Sequence, residues 1–148
     1  MKKGFTLVEI LIVVTIIGIL ASIVLVGLGP FRGRGRDTRR IADLNQTQNA
    51  LELYYTKYQR YPPVSGSNSW ESLTQALTGN AQIGISTVPN DPSKPNRSYS
   101  YGVSADGQNY ALGANLEDRN NPALNDDVDG TVFNVNCEDT NSNYCIQF

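Results

Sequence analysis

The sequence contains no histidine and only two cysteines among its 148 residues. Without an imidazole it lacks the usual general base poised near neutral pH, and without a Cys/His cluster it has no zinc site of familiar type. No glycine-rich loop follows a strand to hold phosphates, and no serine stands in a nucleophile elbow. An enzyme is therefore not expected, and no cofactor is required. Charge is missing too: between Lys3 and Pro30 the one charged residue is Glu9.

That gap defines the first feature present. Residues 10–28 form an apolar run of 19 residues, which as an α-helix is about 29 Å long, close to the hydrocarbon thickness of a bilayer. A carboxylate at mid-bilayer costs on the order of 3 kcal/mol, so Glu9 either lies at the interface or is kept for a partner. A signal anchor whose glutamate snorkels to water has the same charge pattern. A cleaved secretory signal does not, because its core is shorter and a small-residue cleavage site follows it.

The residues before the run decide between these readings. Met1-Lys2-Lys3-Gly4 followed by Phe5-Thr6-Leu7-Val8-Glu9 resembles the class III signal of type IV pilins and of the major pseudopilins of type II secretion. The resemblance implies cleavage between Gly4 and Phe5 by a prepilin peptidase, N-methylation of Phe5, and retention of the apolar helix in the mature chain. It also implies an α+β fold, with a long N-terminal helix packed on a small antiparallel sheet. The chemistry suits polymerisation: cleavage leaves a cationic amine at a helix N-terminus that already carries roughly half a positive charge. In a staggered stack Glu9 of one subunit can face the Phe5 amine of the next. Two such charges 4 Å apart attract by about 4 kcal/mol at an effective dielectric of 20, enough to set axial register.

Charge divides the chain. Residues 1–60 hold nine Lys/Arg and four Asp/Glu, whereas residues 61–148 hold three and ten. The acidic distal part argues against nucleic acid as a ligand. The expected organisation is a leader at 1–4, a membrane and assembly helix at 5–29, a helix-breaking segment at 30–36, an amphipathic helix at 37–61 and a globular α+β head at 62–148. The break is expected because Gly27, Gly29, Pro30, Gly33 and Gly35 together oppose a continuous helix. Arg32, Arg34, Arg36, Arg39 and Arg40 overlap this segment and read as a solvated or lipid-facing collar. Counted against Lys2 and Lys3, they favour a cytoplasmic C-terminus; the resemblance implies the opposite orientation.

In the amphipathic segment Ile41, Leu44, Gln48, Leu51, Tyr55 and Tyr58 recur at helical spacing, and Tyr61-Pro62-Pro63 ends it. Ser69 is expected to cap a helix over 70–78 that turns Trp70, Leu73, Ala76 and Leu77 inward. Residues 97–103 and 109–116 flank Asp106-Gly107, a strong hairpin turn. Residues 131–136 and 144–148 supply further strands.

Asn125, Asp126, Asp127 and Asp129, followed by Gly130, place oxygens as in the first half of a calcium loop, yet the twelfth position is Asn136 rather than glutamate. The resemblance implies a calcium site in such a loop; a turn hydrogen-bonded to its own backbone is the alternative. Cys137 and Cys145 enclose seven residues, and in an exported chain are expected to form a disulfide worth about 2.5 kcal/mol. The spacing is not that of a redox motif.

The expected function is a structural subunit of a type IV pilus-like filament. It would polymerise with itself on a pilus or secretion assembly platform, after residence in the membrane lipid as a single-pass precursor with its head outside. Two alternatives stand beside it. One is the major pseudopilin of a type II secretion or DNA-uptake system, in a periplasmic filament, and the other is a membrane-anchored binding protein that never polymerises.

Overall fold

The computed structural model describes residues 4–64 and 69–148, with backbone alone at 24–30 and 80. Lys2 and Lys3 of the leader lie outside the described residues. Helix α1 runs unbroken from Leu7 to Tyr58, 52 residues or about 78 Å. Thr6 opens it with a capping box: its hydroxyl accepts the Glu9 N–H, and the Glu9 carboxylate accepts the Thr6 N–H. Gln59, in the left-handed region, closes it by donating its N–H to the Tyr55 carbonyl.

The expected break at 30–36 does not form, since the segment is helical. Local propensity is outweighed there by tertiary contacts, because the helix from Gly33 onward is fastened to the head by ion pairs that begin at Arg34. Among the described residues no helix is long and apolar enough to cross a membrane. The expected span at 10–28 ends among residues whose side chains are not described.

Two faces of one central strand organise the head. Strands β1 (Ser100–Val103), β2 (Tyr110–Asn115) and β5 (Asn143–Gln147) form an antiparallel sheet in the order β1-β2-β5. Side chains alternate along β2. Tyr110, Leu112 and Ala114 face the main core, with Leu44 and Leu51 of α1 and with Leu73 and Leu77. Ala111 faces a second cluster with Val135, Cys137 and Cys145. The β1-β2 turn falls at Asp106-Gly107 as expected, with Gly107 at φ +72°.

The run 131–136, expected as one strand, folds back on itself as β3 (Thr131–Val132) and β4 (Val135–Asn136). Phe133 and Asn134, at φ +47° and +67°, make the tight turn. That turn lies against β1 so closely that a Cβ on Gly102 would collide with the Phe133 carbonyl.

Helix α2 (Ser69–Gln75) continues into a π-helical turn, Ala76–Asn80, and buries Trp70, Leu73 and Leu77. Ser69 does not cap it. It is the first helical residue, and its hydroxyl accepts the outward N–H of Tyr101 on β1. On the opposite margin of the sheet, Asp127 accepts the Cys145 N–H of β5 at 2.6 Å.

Candidate functional site

The N-terminal arm is apolar and bare. Phe5 is 83 % exposed, and the large apolar residues from Leu7 to Ile23 are all more than half exposed. A helix apolar on every side, left uncovered, is built to be buried by something other than its own head. At its tip, Glu9 Oε2 accepts from both the Thr6 N–H and the Thr6 hydroxyl at 2.8 Å. Phe5, four positions earlier, follows Gly4 directly, so the expected cleavage point, the amine that such a cut would create and the Glu9 carboxylate are all at the tip of α1.

At the level where α1 meets the head, the basic cluster divides: Arg32, Arg34 and Arg39 are exposed, as a solvated collar would be, whereas Arg36 and Arg40 turn to the head. Arg40 is fully buried and reaches three carboxylates: Asp37 at 2.7 Å, Asp91 at 2.7 Å and Glu117 at 2.9 Å. Arg36 grips Glu117 with two hydrogen bonds, of 2.8 and 2.5 Å. Arg34 pairs with Asp118 at 3.0 Å and Arg39 with Asp43 at 3.7 Å. Asp37, also fully buried, accepts the backbone N–H groups of Glu117 and Asp118.

These contacts fix charge states. The Arg36 guanidinium, with help from Arg40 and against partial burial, holds the Glu117 carboxyl down at about 2. Burial opposes the charge on Arg40, but Asp91, Glu117 and Asp37 more than offset it and push its ionisation up. The carboxylates involved lie 51 to 84 positions from the Arg34, Arg36 and Arg40 they meet, Asp37 excepted. Sequence periodicity cannot register such pairings; the acidic pair Glu117-Asp118 directly after a predicted strand was the available signal.

Tyrosine hydroxyls complete the join. Tyr61 and Tyr110 both donate to Glu52 Oε1, at 3.0 and 3.3 Å, and Tyr99 donates to Asp43 at 2.8 Å. Burial first, then these carboxylates, raises all three phenols above their ordinary range.

The acidic loop departs from the calcium pattern. Asn125 ends a 3-10 turn, Pro122–Asn125, and with Asp126 and Asp129 it is exposed. Asp127 turns inward to the Cys145 N–H, so the four residues do not converge on one point. Among the described residues no group of three or more His, Cys, Asp or Glu could hold a metal ion, and calcium takes six to eight oxygens. Asp127 Oδ1 and Asp139 Oδ1 are each buried with no hydrogen-bond partner among the described residues. Burial, reinforced by the charges of Asp139 and Asp129, pushes the Asp127 carboxyl up to about 6. Cys137 and Cys145 are joined as a disulfide with Cα atoms 5.5 Å apart.

Residues 1–25 match the family model of the prokaryotic N-terminal methylation motif. The chain is similar to type II secretion system core protein G of Escherichia coli strain K12, 35 % identical over 77 residues that make up 52 % of each chain. The protein of that name in Pseudomonas aeruginosa is 35 % identical over 81 residues, 55 % of this chain and 56 % of the relative. Its namesake in Aeromonas hydrophila is 36 % identical over 61 residues, 41 % of this chain and 43 % of the relative. The chain thus matches about half the length of these relatives. No solved structure matches it.

Proposed function

We propose that this chain is a major pseudopilin, a structural subunit that polymerises through α1 into a short periplasmic filament of a type II secretion-like machine. The precursor would be inserted by residues 5–29 with its head outside the cytoplasmic membrane, and then cut between Gly4 and Phe5 by a prepilin peptidase and N-methylated at Phe5. The observation that carries this reading is the bare apolar helix, tipped by Glu9 and opened by the methylation motif. A helix of this kind marks a surface for membrane or protein contact, and lipid before assembly and copies of itself afterwards supply both. On release of the leader, the new Phe5 amine of one subunit would draw Glu9 of a neighbour out of its capping box with Thr6.

The long surface pilus, expected first from sequence, gives way to the secretion filament because the similar proteins carry the type II secretion name. Mass analysis of the mature N-terminus should find methylated Phe5; an intact leader in assembled material would reject the processing step. Glu9→Ala should remain membrane-inserted and folded yet enter filaments at least about tenfold less efficiently, given an ion pair of a few kcal/mol. Wild-type assembly of this variant would sink the register role. Electron microscopy separates the alternatives: short periplasmic filaments support the pseudopilin, long surface fibres the pilus, and no filament at all a simple anchored protein.

A further inference from the structure

Four of the five clustered arginines already have acidic partners. Arg34 pairs with Asp118, Arg36 with Glu117, Arg39 with Asp43, and Arg40 with Asp37, Asp91 and Glu117. Arg32 is exposed and, among the described residues, has no carboxylate within ion-pairing distance. Glu117 comes up beside the neighbouring Gly33, but Arg36 and Arg40 hold it. A free guanidinium keeps its charge at any physiological pH and offers its donors as a planar fork. That shape suits an oxyanion with two adjacent oxygens, such as a phosphate.

The height of Arg32 along α1 says which phosphate it would meet. The apolar run ends at Leu28 and α1 continues unbroken, so the Arg32 Cα stands about 6 Å beyond that end. The headgroup layer on each face of a bilayer is about 5–8 Å deep. Phe31, 67 % exposed, carries apolar surface up to the position just before Arg32. Arg39, on the same side of the helix two turns later, lies about 10 Å further out and above the layer. Arg32 is thus the one unpaired cation of the cluster, and it falls at headgroup depth.

We propose that Arg32 is a lipid anchor: while residues 10–28 lie in the bilayer, its guanidinium grips the phosphate of an acidic phospholipid on the head side and fixes the depth at which the head stands. This rests on the membrane-inserted precursor of the proposed function and is independent of polymerisation. A subunit leaving the bilayer has to give up the contact, so the charge of the lipid opposes its departure.

Native mass spectrometry of the full chain, released from bilayer discs of equal phosphatidylglycerol and phosphatidylcholine, tests it. Lys2→Gln with Lys3→Gln serves as the parent, so that the leader adds no side-chain cation on the opposite face. The parent should retain phosphatidylglycerol over phosphatidylcholine about fivefold in about 50 mM ammonium acetate, the factor one arginine contributes at an anionic surface, and lose most of that excess at about 500 mM. Adding Arg32→Gln should bring the two lipids to the proportion of the disc, whereas adding Arg39→Gln should leave the excess unchanged. Soluble glycerol phosphate at millimolar concentration should not compete, because the anchor needs a phosphate held at the depth of Arg32. An excess that survives Arg32→Gln, or that falls equally with Arg39→Gln, would overturn the anchor. A chain that enters the discs without any excess overturns the anchor alone; one that does not enter them overturns the inserted precursor with it.

Discussion

Glu117 accepts a hydrogen bond from Arg40 at 2.9 Å across 77 positions of sequence, and with that contact the loop after β2 closes onto the long helix. Arg40 serves two further carboxylates, Asp37 and Asp91, both buried. Removing the cation alone would leave these anions uncompensated out of water.

Arg40→Met should therefore destabilise the head by about 3–5 kcal/mol. Adding Asp37→Asn and Asp91→Asn to that variant should recover a substantial part of the loss, because the unpaired charges go with the cation. Thermal melting of the three-residue variant beside the single one measures the recovery; a further drop on neutralising the two aspartates would contradict the assignment.

Glu117 titrates at about 2 in the folded chain, below the ordinary value of 4.5. The unfolded state takes up a proton first as pH falls, so the stability this residue contributes is full above about pH 4.5 and is lost as pH drops towards 2. Discounted for its partial exposure, that contribution is about 1–2 kcal/mol. Glu117→Gln should be less stable than wild type at pH 7, and the gap should narrow below pH 4. Parallel stability curves across that window would contradict the coupling.

Asp127 has the opposite sign. Its folded value of about 6 exceeds the ordinary 3.8, so holding it ionised costs stability above pH 6, and the cost fades as pH falls towards 4. Asp127→Asn keeps an oxygen for the Cys145 N–H while removing the charge facing Asp139. In buffer containing a chelator, it should melt a few degrees higher at pH 7.5, on the order of 1 kcal/mol, and near wild type at pH 4. Equal destabilisation at both pH values would show that the hydrogen bond, not the charge, dominates.

Reduction of Cys137–Cys145, or Cys137→Ser with Cys145→Ser, should cost about 2–3 kcal/mol. Hydrogen exchange should rise first in β5, which carries Cys145, and later in β1. A thiol assay finding two free thiols in the mature protein would remove the bridge from the native state.

What the sequence made legible was local. Asp106-Gly107 marked its hairpin because a left-handed glycine is a chain-local requirement, and the spacing from Leu44 to Tyr55 marked the face of α1 that meets the sheet. The unbroken helix through Gly33 and Gly35 was not legible, because what outweighs their propensity is Glu117 and Asp118, more than 80 positions away. The five arginines looked alike in sequence. In the structure Arg40 is core and Arg32 is solvent-facing, a distinction set by which turn of the helix meets the head. The acidic loop shows a related limit: alternating oxygens meet at one point only where the chain wraps round it, and the spacing alone could not show that a 3-10 turn ends at Asn125 or that Asp127 turns to the Cys145 N–H.

The two outer margins of the head's sheet have a consequence for crowding. Ser69 takes the free N–H of Tyr101 on one side and Asp127 that of Cys145 on the other, so neither margin presents those donors to a foreign strand. Heads packed side by side at high density then lack the mid-strand donor on each margin with which an amyloid-like ladder would start. Under the proposed assembly, contact between subunits then falls to the bare helix, a division of labour in which one end of the molecule adheres while the other has had one strand-pairing donor withdrawn from each margin.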